Sequence, residues 1–260
     1  MRRGAGRALA LAALAGAACA TAPAASPAVR RPEPEALVLR VERPDGPGPF
    51  PAVILLHGCS GPHRKDRDWA RWLAGEGYVA VVTDSFGPRG VKSVCGTKDR
   101  GAPTSRDRAE DAAAVRRHLA ALPFVDPARV GLMGFSHGGK TALRAAVRGA
   151  GAPDRPFAAV VALYPPCFRL RRDMAIQSPL AILIGADDDW ALADRCQAFT
   201  AAARSRGQEV SLTVYPGALH GFDAVGLDTY RLGHHLRYDP AAHADAQVRV
   251  RAFLAEWLRK

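Results

Sequence analysis

The chain contains no Cys-x-x-Cys and no His-x-x-x-His pair, so no spacing in its 260 residues asks for a structural zinc or a helical metal site, and no cofactor is expected. Beyond the first twenty residues no apolar run is long enough to cross a bilayer, which argues against a membrane-spanning domain. Acidic residues are scarce: 25 Asp and Glu stand against 36 Lys and Arg, a formal charge of +11. The arginines are scattered in ones and twos, with no basic stripe and no nucleic-acid-binding motif. The excess therefore reads as a solvated basic surface, and no nucleic-acid partner is expected. The aliphatic poverty of disordered chains is missing too, since 48% of residues are hydrophobic. No repeat or second domain interrupts the pattern, so one large core in a single, monomeric domain is expected.

What is present begins with a leader. Residues 1–20 carry a basic stretch from Met1 to Arg7, an apolar segment from Ala8 to Ala15, and then small residues, the layout of an export signal. Cleavage after Ala18-Cys19-Ala20 suits simple secretion; lipidation of Cys19, which would anchor the protein to a membrane, is the alternative. Residues 21–35 form a Pro/Ala-rich tether, leaving 36–260 as the single folded domain. Export to the periplasm or medium puts the remaining cysteines, Cys59, Cys95, Cys167 and Cys196, where thiols can pair. Four cysteines allow three connectivities. Order along a doubly wound sheet favours Cys59 with Cys95 and Cys167 with Cys196.

Short apolar runs mark buried strands at 52–56, 78–82, 130–133, 158–163, 180–184 and 210–214, with an alternating strand at 36–41. Helical periodicity separates them. Ala112, Val115, Leu119 and Leu122 define one helix, with Ser105 expected as its N-cap, and Val250, Phe253, Leu254, Trp257 and Leu258 define the last. Alternating strand and helix predicts an α/β fold: a mostly parallel doubly wound sheet, flanked by helices on both faces, with ligands bound outside the strands' carboxyl ends.

The informative residues fall at those ends. Gly134-Phe135-Ser136-His137-Gly138-Gly139 follows a buried strand and opens a helix, the context a G-x-S-x-G nucleophile elbow requires. A serine needs a base, and the base needs an orienting carboxylate. Asp187-Asp188-Asp189-Trp190 follows one later strand and His220 follows the next, so the order is Ser, Asp, His. Asp188 is the first choice for the acid and Asp189 the second. An oxyanion hole needs two preorganised N–H donors, and the amides of His137 and Cys59 are placed to supply them. His63 and Trp190 are expected to touch substrate. His118 reads as a surface-helix residue, His234 and His235 as residues of a late loop, and His243 as a neighbour of the last helix.

With its His57-Gly58-Cys59-Ser60-Gly61, Asp84 to Gly90, Gly134 to Gly139, Gly185 to Trp190 and Tyr215 to Phe222 segments, the chain resembles the dienelactone hydrolase family of α/β-hydrolase fold over residues 36–258. The resemblance implies a carboxylic ester or lactone hydrolase acting on small molecules. It also implies that Arg89 resembles a family arginine holding a substrate carboxylate. Two departures stand out: the family enzymes proper use cysteine where Ser136 stands, and His57 lies near the place of an acidic residue. Both favour a general esterase. The alternatives are a peptidase of the prolyl-oligopeptidase kind, for which the chain has no room for a gating domain, and a non-catalytic exported binding protein of the same fold.

Overall fold

The computed structural model describes residue 1 and residues 31–99, 101–148, 155–169, 171 and 174–259. The leader, Cys19 and most of the tether lie outside them.

Strands β1 (Val38–Glu42), β2 (Phe50–Leu56), β3 (Val79–Thr83), β4 (Val125–Phe135), β5 (Val160–Leu163), β6 (Leu180–Gly185) and β7 (Val210–Tyr215) form one sheet in the order β1-β3-β2-β4-β5-β6-β7. All neighbours are parallel except β1, which runs antiparallel to β3 at the edge. The unbroken apolar runs are explained by position: β3, β5 and β6 are buried at every residue and β2 at all but its first, because helices cover both faces. The edge strand β1 has no such cover and is mostly exposed.

The chain enters the middle of the sheet at β2, steps outward to β3, and returns past β2 to β4. The direction of winding reverses between β2 and β4, and a crevice opens there at the carboxyl edge. Right-handed crossovers then put α2 (Arg64–Gly75) on one face and α3 (Ser105–Leu119), α4 (His137–Ala146) and α5 (Ala193–Arg204) on the other. The last helix, α6 (Pro240–Leu258), lies beside α2, where Arg251 reaches Glu76 at 2.6 and 2.8 Å. Its buried line is Ala242, Ala246, Val250, Leu254 and Leu258; Phe253 and Trp257, also expected to face inward, sit only partly buried at its margin.

Several expectations need correction. A turn of helix, α1 (Pro34–Leu37), covers the last two residues of the 21–35 tether and the first two of the strand expected at 36–41, and Leu37 is fully buried in the core. The N-cap of α3 is Thr104, not Ser105: the Thr104 hydroxyl accepts from the Arg106 and Asp107 amides, and the Asp107 carboxylate accepts from the Thr104 amide, a complete capping box. His234 and His235 do not lie in a loop. They belong to a β-hairpin, β8 (Asp228–Arg231) with β9 (His234–Arg237), which the sequence reading missed. His243 sits within α6.

Both disulfides form in the favoured pairing, Cys59–Cys95 and Cys167–Cys196, with Cα atoms 4.9 and 5.1 Å apart. No helix among the described residues is long and apolar enough to cross a membrane.

Candidate active site

Ser136 stands between the end of β4 and the start of α4 with φ 54° and ψ −115°, a conformation that L-residues rarely adopt. Such a turn folds the chain back on itself. A Cβ on Gly134 would overlap the backbone of Gly138, and one on Gly138 would overlap the Leu56 carbonyl of β2, so both glycines are sterically required. The same argument applies after β6, where a Cβ on Gly185 would strike the Ala218 carbonyl.

Three side chains from distant stretches meet at this edge. The Ser136 hydroxyl lies 2.9 Å from His220 Nε2, and His220 Nδ1 lies 2.8 Å from Asp188 Oδ2. The other carboxylate oxygen of Asp188 accepts from the amides of Trp190 and Ala191, at 2.9 and 2.7 Å, so the group is held by its own loop and faces the imidazole. Asp188 is 3% exposed and His220 4%, which shields the pair from competing water. Asp189 points the other way, to His234 Nδ1 at 3.2 Å. The hairpin steadies the histidine loop as well, since His220 bridges to Leu236 and its carbonyl accepts from the Arg237 amide.

His137 directly follows Ser136 in the chain, and Cys59 directly follows Gly58. His137 opens α4, so its N–H has no carbonyl one turn back to bond. The Cys59 amide donates to no backbone carbonyl among the described residues. Gly58 lies against Ser136, close enough that a Cβ there would touch the serine side chain at 3.8 Å. A cavity of about 340 Å³ opens in front, lined by the apolar Ala224, Val225, Leu227 and Leu236 and also by His63, Arg64, Lys65, Arg231 and the acidic Asp68.

His63 and Trp190 both line this cavity, and Trp190 stacks on His234 with ring centroids 4.9 Å apart. Arg89 does not line it. Its guanidinium makes a two-pronged pair with Asp111, both contacts at 2.8 Å, and donates to the Ser85 carbonyl. That pairing fixes the Asp84–Gly90 turn against α3, so the arginine role suggested by the family resemblance does not hold at this position.

Sequence reasoning missed two further groups. Tyr164, just past β5, lines the cavity with φ 36° and sets its ring edge-on to His220, centroids 4.8 Å apart. Its hydroxyl donates to Asp223 at 2.6 Å, and Asp223 also accepts from Trp69 Nε1 at 2.8 Å, both bonds buried. Burial and the adjacent carboxylate push the Tyr164 hydroxyl well above its usual pKa, so it stays a donor. The second group is Arg108, fully buried behind the two amides. A residue of either kind at the end of a strand or one turn into a helix carries no spacing signal by itself.

The charge state of the surroundings is set by burial. His57 is held well below the usual histidine value, chiefly by desolvation and then by Arg108. His137 is pushed down to about 3 for the same two reasons in the same order. Both rings are neutral at physiological pH.

A doubly wound sheet with a serine on a strained strand-to-helix turn, hydrogen-bonded through a histidine to a carboxylate after a later strand, defines an α/β-hydrolase. The model of the dienelactone hydrolase family matches residues 38–258, and the chain belongs to that family, whose members hydrolyse small esters or lactones. It is 27% identical over 206 residues, 76% of this chain and 83% of the relative, to a Bradyrhizobium sp. protein named "Probable 2-oxo-3-(5-oxofuran-2-ylidene)propanoate lactonase". Among solved structures it is similar to a dienelactone hydrolase-like promiscuous phosphotriesterase from metagenomic libraries, with 26% identity, a TM-score of 0.67, and 81% of this chain and 87% of that one covered. An esterase from Thermogutta terrifontis, at 22% identity and a TM-score of 0.62 over 83% of this chain and 86% of that one, shares the fold.

Proposed function

We propose that the protein is an exported serine hydrolase of small carboxylic esters or lactones, with residues 36–260 as its catalytic domain and an acyl-enzyme formed on Ser136. The observation that carries this reading is the continuous chain of contacts, Ser136 Oγ to His220 Nε2 at 2.9 Å and His220 Nδ1 to Asp188 at 2.8 Å. His220 takes the hydroxyl proton as Ser136 attacks the carbonyl carbon. Asp188 holds the ring with its proton on Nδ1 and stabilises the imidazolium that forms. The Cys59 and His137 amides receive the oxyanion as preorganised donors. The tetrahedral intermediate collapses, the C–O bond to the alcohol breaks, and the departing alkoxide takes the proton back from His220. Water then repeats the sequence on the acyl-enzyme. When the substrate is a lactone, the alkoxide stays tethered to the acyl group, and hydrolysis must outrun re-closure of the ring.

Cavity size favours short substrates, and the cations Arg64, Lys65 and Arg231 in its lining, against the single acid Asp68, favour one bearing an anionic group. The lactonase name of the Bradyrhizobium relative agrees with such a substrate. The two disulfides support an oxidising compartment and hence export.

Turnover of a short-chain chromogenic ester by wild type and by Ser136→Ala tests the reading. The variant is expected to lose at least about 10⁴-fold in kcat, leaving only what binding and the amides provide. Equal rates would remove Ser136 from the mechanism.

A further inference from the structure

Arg108 is one of the largest fully buried side chains of the protein, and none of the steps above uses it. It sits on α3, one turn in from the Thr104 capping box, and Ala109 and Ala112 beside it let the helix approach the sheet. Burying a guanidinium costs several kcal/mol unless carboxylates surround it. Here the nearby acids are engaged elsewhere: Asp111 by Arg89, Asp66 by Lys65, and Asp84 by the amides of Phe86 and Gly87. One nitrogen of Arg108, Nε, has no partner.

What the guanidinium does touch is informative. Nη2 donates to the His57 carbonyl and Nη1 to His137 Nδ1, each at 2.7 Å. One rigid fork thus grips both segments that present an amide to the reacting carbonyl. The grip on the first segment continues through the His57 ring. Its Nε2 accepts from the Ser85 amide at 3.3 Å, so in the neutral ring the proton is on Nδ1, which donates to the Gly58 carbonyl at 2.7 Å. In a trans peptide the C=O and N–H point in opposite directions. Anchoring the Gly58 carbonyl on His57 therefore aims the Cys59 N–H away from the core and toward the cavity.

We infer that Arg108 is a positioning residue for the oxyanion hole, fixing the Cys59 and His137 amides together and placing a positive charge behind them where negative charge develops. The inference rests on the serine reading of the site. A fixed cation in a dry interior acts on the transition state far more than on the neutral ester, so its signature is in kcat and not in KM.

The experiment measures kcat and KM on a short chromogenic ester, and the inhibition constant of a trifluoromethyl ketone of the same acyl group, for wild type, Arg108→Gln, Arg108→Lys, His137→Ala and Ser136→Ala. Arg108→Gln is expected to lose about 10²-fold in kcat, with KM within about threefold, and to bind the ketone more weakly in the same proportion. Arg108→Lys keeps the charge but not the fork and is expected to fall between. A purely structural arginine would lower the melting temperature and leave kcat and ketone affinity intact well below the melt, and that result overturns the inference. If Arg108→Gln does not fold, His137→Ala decides, since it removes one arm of the grip while keeping the amide. About a tenfold loss in kcat at unchanged KM supports the role, and an unchanged kcat overturns it. Ser136→Ala separates the two levels. An inactive Ser136→Ala beside a fully active Arg108→Gln defeats this inference alone, whereas an active Ser136→Ala defeats the serine reading and the inference with it.

Discussion

The two walls of the cavity are built differently. On the side of β6 and β7, side chains face the reacting centre: the Asp188 carboxylate and the His220 imidazole, each set on a loop directly after a strand. On the side of β2 and β4 the contribution we propose is backbone, two amides whose direction would depend on residues behind them. A side chain that moves a proton is hard to replace, whereas an amide can be misaimed by degrees. The two walls should therefore fail by different amounts when disturbed.

The largest effect is expected on the acid–base wall. Asp188→Asn should lower kcat by about 10⁴-fold, because the amide stabilises the wrong tautomer of His220, while Asp189→Asn, at an exposed side chain that bonds the half-buried His234, should stay within about threefold. Comparable losses in both variants, measured by steady-state kinetics, would show that the acid has been misassigned.

The disulfides sharpen the contrast. Cys59–Cys95 closes a separation of 36 residues and Cys167–Cys196 one of 29, so each constrains the unfolded chain by about 3–4 kcal/mol on the loop-entropy model. Equal stabilisation need not mean equal function. Cys59 lines the cavity, and its carbonyl accepts from the Val94 amide at 2.8 Å, so the bridge and its loop hold the amide wall. Replacing both members of that pair by serine is expected to cost about tenfold in kcat besides stability, less than the cost of about 10²-fold for removing a donor outright, because the amide remains. The same change at Cys167 and Cys196 should cost stability in urea melts and leave kcat within about twofold.

The neutral histidines behind the amide wall make stability depend on acidity. His57 and His137 are held below the ordinary histidine value in the folded protein, so between about pH 6.5 and the lower folded values the unfolded chain binds protons that the folded chain refuses. Stability contributed above about pH 6.5 is lost as pH falls, at about 1.4 kcal/mol per pH unit for each proton. Urea melts from pH 7.5 to 5 measure that slope, and it should shrink in His137→Ala. An unchanged slope would mean that the ring is not kept neutral.

The smallest expected effect is on substrate choice. Arg231→Ala should lower kcat/KM a few-fold for an ester carrying a carboxylate and leave its neutral isostere unaffected, since the residue sits on the cavity's rim.

Much of the architecture was legible because burial on two faces demands unbroken apolar runs, and β2, β3 and β6 show them plainly. The elbow was legible because Gly134 and Gly138 are the only residue type that fits, and the Ser, Asp, His order then pointed to Ser136, Asp188 and His220. Other features left no such trace. The hairpin Asp228–Arg237 has an exposed strand and a half-buried one, so no apolar alternation marks it, yet it backs Trp190 and His220. Arg108 looks like any charged residue near a helix start, and only coordinates reveal that it turns inward. Arg89 illustrates the opposite failure: family resemblance suggested a substrate contact, but Asp111 one turn along α3 from Arg108 claims its guanidinium.

The most direct test of the account is chemical. Incubation with an acyl-phosphonate probe, followed by intact-mass measurement and peptide mapping, should show one adduct per chain on the peptide containing Ser136, with labelling slowed in His220→Ala and absent in Ser136→Ala. An adduct of the same yield on Ser136→Ala, or one located on Ser60, would contradict the assignment.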